Sequence, residues 1–438
     1  MGLTLVRKGR GAPKRDPKIA LVLAGGAVSG GAFKVGGLKA LDDFLVGRRT
    51  VDFDMYVGLS AGSILAVPLA AGIPPDEMVQ VLEGTHDRFE QLRPYEFYGP
   101  NWREFVERPG RLLYEMASYA PGVFLETARS LPDLPDLLRR SGPGLFRDWT
   151  YRDFEQATLR FIDHVSPSRE LPSLSNHIPS GFFDNAPLER WLKRNLDRIG
   201  IPNEFEAFLR ERGRHLYLSS CNLDTAERVV FGADETHDVS ISEAVQASTA
   251  LPGFYRPVRL NGIDYVDGGV RNTANIDLAI EKGADLVICY NPFRPFVNPG
   301  DGANWGNEGE HLADRGFKLV INQVFRTLLH TRLTLGVERY KNDDRFEGDI
   351  LLLEPQEHDA NFFALNPLAF WKRNEAMRHG FESVNATIQE NFTELSEVLA
   401  RYGLQLSRAA ARRKAQRAEE EWGWRAQESD SPLSLVGS

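Results

Sequence analysis

The stretch Met55-Tyr56-Val57-Gly58-Leu59-Ser60-Ala61-Gly62-Ser63-Ile64-Leu65-Ala66 sets one serine between an apolar run and a series of small and aliphatic residues. The apolar run has the length and content of a buried strand, and Ala61 to Ala71 suits a helix packed closely on a sheet. Gly58-Leu59-Ser60-Ala61-Gly62 fits G-x-S-x-G, the sharp strand-to-helix turn that lifts a serine hydroxyl above the end of a sheet. A serine at that junction has a simpler use as well, capping the helix N-terminus through its side chain.

Upstream, Ile19 to Ala24 is a short apolar run that ends in Gly25-Gly26-Ala27-Val28-Ser29-Gly30-Gly31, and Leu38, Leu41 and Leu45 then recur at helical spacing. The order is strand, glycine loop, helix. Such a loop exposes backbone N-H groups at a helix N-terminus, where they can stabilise an oxyanion or hold a phosphate. The phosphate motifs fail on spacing. A G-x-G-x-x-G beginning at Gly25 needs glycine at Ala27, and a G-x-x-x-x-G-K-[ST] beginning at Gly26 needs Lys and a hydroxyl residue after Gly31. Close helix-strand packing is the remaining structural use of the glycines.

Downstream, Leu216 to Ser220 and Arg228 to Phe231 carry strand signals, and Ser240-Ile241-Ser242-Glu243 forms a capping box for a helix reaching Ser248. Tyr265-Val266-Asp267-Gly268-Gly269 then sets a carboxylate just past another strand, where it can stand beside a hydroxyl on a neighbouring strand end. Asp-Gly in that position is equally the signature of a hairpin turn. Histidines after it, His311, His330, His358 and His379, offer a base for a serine-acid-histidine triad, yet none lies in a distinctive loop. No H-E-x-x-H or Cys/His cluster suggests a metal, and no cofactor is expected.

The ordered combination resembles the patatin-like phospholipase family. The resemblance extends over Val22 to Leu41, over Ser242 to Arg259 with Leu251-Pro252-Gly253-Phe254-Tyr255-Arg256-Pro257-Val258, and over Gly283-Ala284-Asp285-Leu286-Val287. It implies an α/β fold of three layers, a mostly parallel central sheet flanked by helices. It implies further that Ser60 is a nucleophile, Asp267 its general base in a Ser-Asp dyad, and the N-H groups of Gly25, Gly26 and Ala27 an oxyanion hole. Gly58 and Gly62 are then the elbow glycines, and Gly268 and Gly269 flank the base. The loop departs from the family pattern of three glycines, a variable residue, Arg or Lys, and glycine: it is one residue longer and lacks the cation. The implied substrate is a fatty-acyl ester, cleaved by a phospholipase A-type or lysophospholipase reaction. The alternatives are an α/β-hydrolase-type esterase with a histidine triad, and an inert lipid-binding scaffold of the same fold.

The chain has 438 residues and a net charge of -9, which argues against a nucleic-acid partner. Its charge is uneven. Six basic residues stand against one acid in Met1 to Lys18, and five against none in Arg408 to Arg417, so the body is more acidic than the net value implies. Such basic ends suit transient contact with an anionic membrane surface, as do the aromatics Tyr95, Phe97, Tyr98, Trp102, Phe105, Phe362, Phe363, Phe370 and Trp371. Two cysteines in apolar runs point to a reducing compartment. The first residues lack a secretory signal and no run reaches the about 20 apolar residues of a membrane span, so a cytoplasmic or peripheral membrane protein is expected. The expected organisation is a basic arm at 1-17, a hydrolase domain at 18-403 with a helical insertion at about 74-183, and a disordered charged tail at 404-438.

Overall fold

The run Ile19 to Leu23 is apolar at every position and is buried at every position, which requires a strand covered on both faces. In a computed structural model of the chain, which describes residues 2-9, 15-115, 177-298 and 311-422, it is the middle of a nine-stranded sheet. The strands are β1 (Leu3-Arg7), β2 (Ile19-Leu23), β3 (Met55-Leu59), β4 (His215-Asn222), β5 (Arg228-Phe231), β6 (Val258-Leu260), β7 (Ile263-Asp267), β8 (Leu286-Tyr290) and β9 (Asp349-Leu353). Their order is β1-β9-β8-β2-β3-β4-β7-β6, with β5 paired to β4. Strands β9, β8, β2, β3 and β4 run parallel, and β1, β5, β6 and β7 are antiparallel to their neighbours.

Helices cover both faces. The ones used below are α1 (Ala27-Phe44), α2 (Ala61-Ala70), α3 (Pro75-Glu83), α4 (Ala186-Ile199), α5 (Ile241-Ser248), α6 (Phe317-Lys341), α7 (Arg373-Glu390) and α8 (Arg408-Trp422). Side chains of α1, α2, α3, α4, α5 and α7 form one apolar core with one face of the sheet. Leu333, Val337 and Tyr340 of α6 form another with Ile276, Leu278 and the opposite face. The mixed α/β, three-layer architecture read from the sequence is therefore the one observed.

Register places the two expected dyad residues. Leu59 pairs with Ser219 of β4, and the next residue of that strand, Ser220, pairs with Asp267 at the end of β7. Ser60 and Asp267 thus emerge at the same height, on either side of β4, at the carboxyl end of the parallel strands. That edge is where open α/β sheets bind ligands.

Three parts of the expected organisation differ. The basic arm contains β1, an edge strand antiparallel to β9, because the fully buried β9 would otherwise present unpaired backbone groups on that side. The Asp349 carboxylate, also buried, accepts the N-H groups of Lys8 and Gly9 at 2.8 Å each. The tail is helical as far as Trp422: Lys414 donates to the Asp42 carbonyl at 2.9 Å, Ala411 is buried, and the Arg408 guanidinium lies 4.3 Å from the centre of the Phe392 ring. In the expected insertion, α3 belongs with the main body, where Asp76 meets Lys39 of α1 at 3.1 Å. A separate unit comprises residues 100-182. In it a helix spans 102-115, and Glu104 accepts the Ser180 N-H at 2.7 Å. Residues 116-176 of the expected insertion, and 423-438 of the tail, lie outside the described residues.

Candidate active site

Strand β3 ends at Leu59 and α2 begins at Ala61, leaving Ser60 to make the whole turn with φ 53 and ψ -128. A non-glycine residue in that region is strained and persists only where its surroundings hold it. They do so here from both sides of the residue. The Ser60 N-H donates to Ser248 Oγ of α5 at 2.9 Å, and the Ser60 carbonyl accepts from the Ser63 N-H at 2.8 Å and its hydroxyl at 2.6 Å. The Ser60 side chain makes no helix-capping bond. It is near enough to Asp267 to lower that carboxyl's pKa.

The turn also needs α2 against the neighbouring strand end. A β-carbon on Gly62 would stand 2.1 Å from the Leu23 carbonyl oxygen, so only glycine fits there. Next to it, β2 ends at Leu23 and the chain turns through Gly25 and Gly26 into α1. Gly26 has φ 154, and Ala27, the first residue of the helix, has φ 50. The Ala24 N-H donates to Tyr290 O at 3.1 Å and the Ser29 N-H to Pro367 O at 3.0 Å, whereas those of Gly25, Gly26 and Ala27 have no backbone acceptor among the described residues. Gly25 lies against Ser60, since a β-carbon added to it would be 3.4 Å from Ser60 Cβ.

Asp267 is buried at the end of β7 and does not enter a hairpin. Residues Gly268-Val270 form a short 3-10 turn, and Asp267 Oδ1 accepts the Gly269 N-H at 2.7 Å. Its own N-H donates to the Ala250 carbonyl at 2.8 Å. Burial pushes its pKa up to about 6, opposed by Ser60, by the bond from Gly269 and by the charge of Lys34.

Lys34 was not among the residues singled out in the sequence. It lies on α1, wholly buried, with its ammonium donating to the carbonyls of Ala24 and of Gly25, the latter at 2.9 Å. Burial lowers its pKa to about 7, against the opposing charge of Asp267. A cation absent from the loop is thus supplied about two turns into α1. A lysine on the otherwise apolar and glycine-rich face of α1 is the signal that could have found it. Ser248 and Ser63 carried no such signal, because their roles depend on tertiary contact.

Ser60 lines a cavity of about 110 Å³, set in a cleft of about 1040 Å³ that includes open solvent. Val28 and Val35 of α1, Ile64, Leu65 and Pro68 of α2, Met78 and Val81 of α3, and Trp191 of α4 are among the lining residues, and almost all the lining is apolar. Of the aromatics expected at a membrane, Phe97 and Phe370 line this cavity, and Phe362 and Phe363 are core residues. Tyr98 is half-buried and donates to the Leu368 carbonyl, while Tyr95, Trp102, Phe105 and Trp371 are exposed. The later histidines are engaged elsewhere or exposed. His330 lies 3.2 Å from Glu354, His379 lies 2.7 Å from Asp359, His358 lies 2.8 Å from the Val297 carbonyl, and His311 is exposed. Among the described residues, no helix is long and apolar enough to cross a membrane.

Residues 21-280, which include Ser60, Asp267 and the glycine loop, match the family model for patatin-like phospholipase. The uncharacterized protein YjjU of Escherichia coli K12 is 31% identical over 139 residues, 31% of this chain and 37% of that protein. A probable lipid hydrolase, 463L of Invertebrate iridescent virus 6, is 29% identical over 118 residues, 25% of this chain and 41% of that protein. The matches thus span about two fifths of the length of these curated relatives. VipD from Legionella pneumophila matches at 15% identity with a TM-score of 0.38, over 89% of this chain and 70% of that one. With the family model matched across more than half its length, the chain belongs to the patatin-like phospholipase family.

Proposed function

We propose that the protein hydrolyses fatty-acyl esters of lipids through an acyl-serine intermediate on Ser60. The observation that carries this is a strained serine that lies near a buried carboxylate and lines an apolar cavity. Such a cavity suits an acyl chain, with the ester at Ser60.

In the first half-reaction Ser60 Oγ attacks the ester carbonyl carbon while its proton passes to Asp267. Negative charge moves to the carbonyl oxygen, and in this reading the N-H groups of Gly25, Gly26 and Ala27 receive it. Collapse of the tetrahedral species breaks the ester C-O bond, and the proton on Asp267 leaves with the alcohol or lysolipid. Water then attacks the acyl-serine, gives a proton to Asp267, and releases the fatty acid as Ser60 recovers its hydrogen. A carboxylate is a weak base for a hydroxyl. Its burial raises its basicity, and the fixed turn holds the hydroxyl against it.

The test is hydrolysis of phospholipid and lysophospholipid substrates by the native protein, with head group and acyl position resolved by product analysis. Ser60→Ala and Asp267→Asn are expected to remove turnover by about 10³-fold or more with the fold retained. A fluorophosphonate should label the native protein and not Ser60→Ala. A histidine substitution that abolishes turnover while Asp267→Asn does not would replace the dyad with a triad, and native protein that neither labels nor turns over ester would be an inert scaffold.

A further inference from the structure

Helix α6 has apolar residues on both sides, but among the described residues only one side is covered. At about 100° per residue, Arg326, Leu333, Val337 and Tyr340 fall on one face, and all four are buried. Phe317, Val324, Leu328 and Leu335 fall on the opposite face within roughly 20° of one line, and their exposures are 80, 47, 55 and 64%. Val320 and Phe325, also exposed, widen that stripe. A contiguous exposed apolar stripe on a soluble unit marks a surface that meets something.

The site fixes where the stripe lies. The Arg332 guanidinium donates to the Val270 carbonyl at 2.9 Å, three residues beyond Asp267. Thr273 Oγ1 donates to the Leu329 carbonyl at 2.7 Å. Further along the helix, Arg326 donates to the Pro292 carbonyl at 2.9 Å, and Pro292 is the residue against which Gly26 of the glycine loop abuts. The helix is therefore tied to both halves of the candidate site, the carboxylate side and the loop side. Exposed Val270 is held by Arg332, and exposed Val297 follows Phe296, whose backbone exchanges hydrogen bonds with Gln323 of α6 at 3.0 and 2.7 Å.

Charge selects the occupant. From Phe317 to Val337 the helix exposes Lys318 and Arg332 and carries no acid, Arg326 being buried on the covered face, although the chain as a whole has 61 acids to 52 basic residues. An apolar stripe flanked by cations suits the surface of an anionic bilayer, where apolar side chains enter the headgroup boundary and Lys and Arg meet lipid phosphates.

We propose that the outer face of α6, formed by Phe317, Val320, Val324, Phe325, Leu328 and Leu335, docks the protein on an anionic lipid bilayer, with the helix tied to the segments that follow Asp267 and abut the glycine loop. The proposal rests on the acyl-ester reading of the site and names the surface through which that site reaches its substrate.

The experiment compares native protein with the triple variant Phe317→Ser, Val324→Ser, Leu328→Ser, none of which lines the cavity. Vesicles of phosphatidylcholine with and without phosphatidylglycerol are sedimented with each protein. Native protein should partition onto the phosphatidylglycerol vesicles, less so as salt rises, and the triple variant should lose about tenfold or more of that partition. Val46→Ser, at an exposed apolar position elsewhere, should keep it. Hydrolysis of the soluble ester p-nitrophenyl butyrate should be unchanged in the triple variant while hydrolysis of vesicle phospholipid falls with the partition. Native protein that does not bind these vesicles, a triple variant that binds as well as native, or a native dimer that the triple variant splits would each overturn the proposal. Absence of all ester hydrolysis would sink the reading of Ser60 and leave the sedimentation result to decide on α6 by itself.

Discussion

The Lys34 ammonium donates a 2.9 Å hydrogen bond to the Gly25 carbonyl from a wholly buried position in α1. In a trans peptide the N-H points opposite to the carbonyl, so holding the Ala24 and Gly25 carbonyls directs the N-H groups of Gly25 and Gly26 away from the lysine. Lys34→Met removes that hold and the positive charge that opposes the upward shift of Asp267. Turnover is expected to fall roughly 10²-fold, as small misplacements of catalytic donors do, with KM little altered. The acid limb of the rate profile should move to higher pH, which loss of structure alone would not produce. A limb that stays in place would show that Lys34 is only a packing residue.

The carboxyl of Asp267 sets the native limb. Its pKa is pushed up to about 6 by burial, so the base form is present above that pH and kcat/KM should rise through about 6 to a neutral plateau. The same shift bears on stability. A folded-state pKa raised from 3.8 favours the protonated folded form, a contribution complete below about 3.8 and lost as pH rises through about 6. At pH 8 the protein therefore carries an unfavourable buried charge that Asp267→Asn removes. That variant is expected to be inactive yet melt no lower than native at pH 8, by differential scanning calorimetry. A clearly lower midpoint would mean that the carboxylate is held mainly for structure.

Ser248 provides the acceptor for the Ser60 N-H, although the two residues are 188 positions apart. Ser248→Ala leaves a buried donor unsatisfied beside a strained turn, which costs about 1-3 kcal/mol. Part of that loss should appear as relaxation of Ser60 away from φ 53. The expected result is a lower denaturant midpoint together with a fall in kcat of about tenfold or more. Unchanged kcat in the folded variant would show that Ser63 holds the turn without help.

How much of this was legible in the sequence follows from which interactions are local. The elbow at Gly58 to Gly62, the Ser240 capping box and the glycine loop are defined by neighbours in the chain, and each appears where its residues predict it. The placement of Asp267 opposite Ser60 depends on strand register across β4, and that of Lys34 on the bend of the loop back over α1. Neither is encoded by nearby residues. β1 escaped notice because Arg7 and Lys8 mask a strand whose value lies in pairing with distant β9. The aromatics Phe362, Phe363 and Phe370 misled for a related reason: ring content does not tell a core position from an interfacial one.

The cavity runs along α2, with Ile64 one turn and Pro68 two turns beyond Ser60, about 6 and 12 Å along the helix axis. An acyl chain with its ester at Ser60 must therefore pass Ile64 early and Pro68 late. Ile64→Trp places a larger ring in the first stretch and blocks the remainder, while leaving space near the hydroxyl for a short chain. Butyryl ester turnover should stay within about threefold of native, and palmitoyl ester turnover should fall by about 10- to 200-fold, the range over which apolar pockets discriminate size. Competition between the two esters in one reaction measures the ratio of their kcat/KM values directly. An equal loss for both would mean that the chain leaves Ser60 by another route and that this cavity does not receive it.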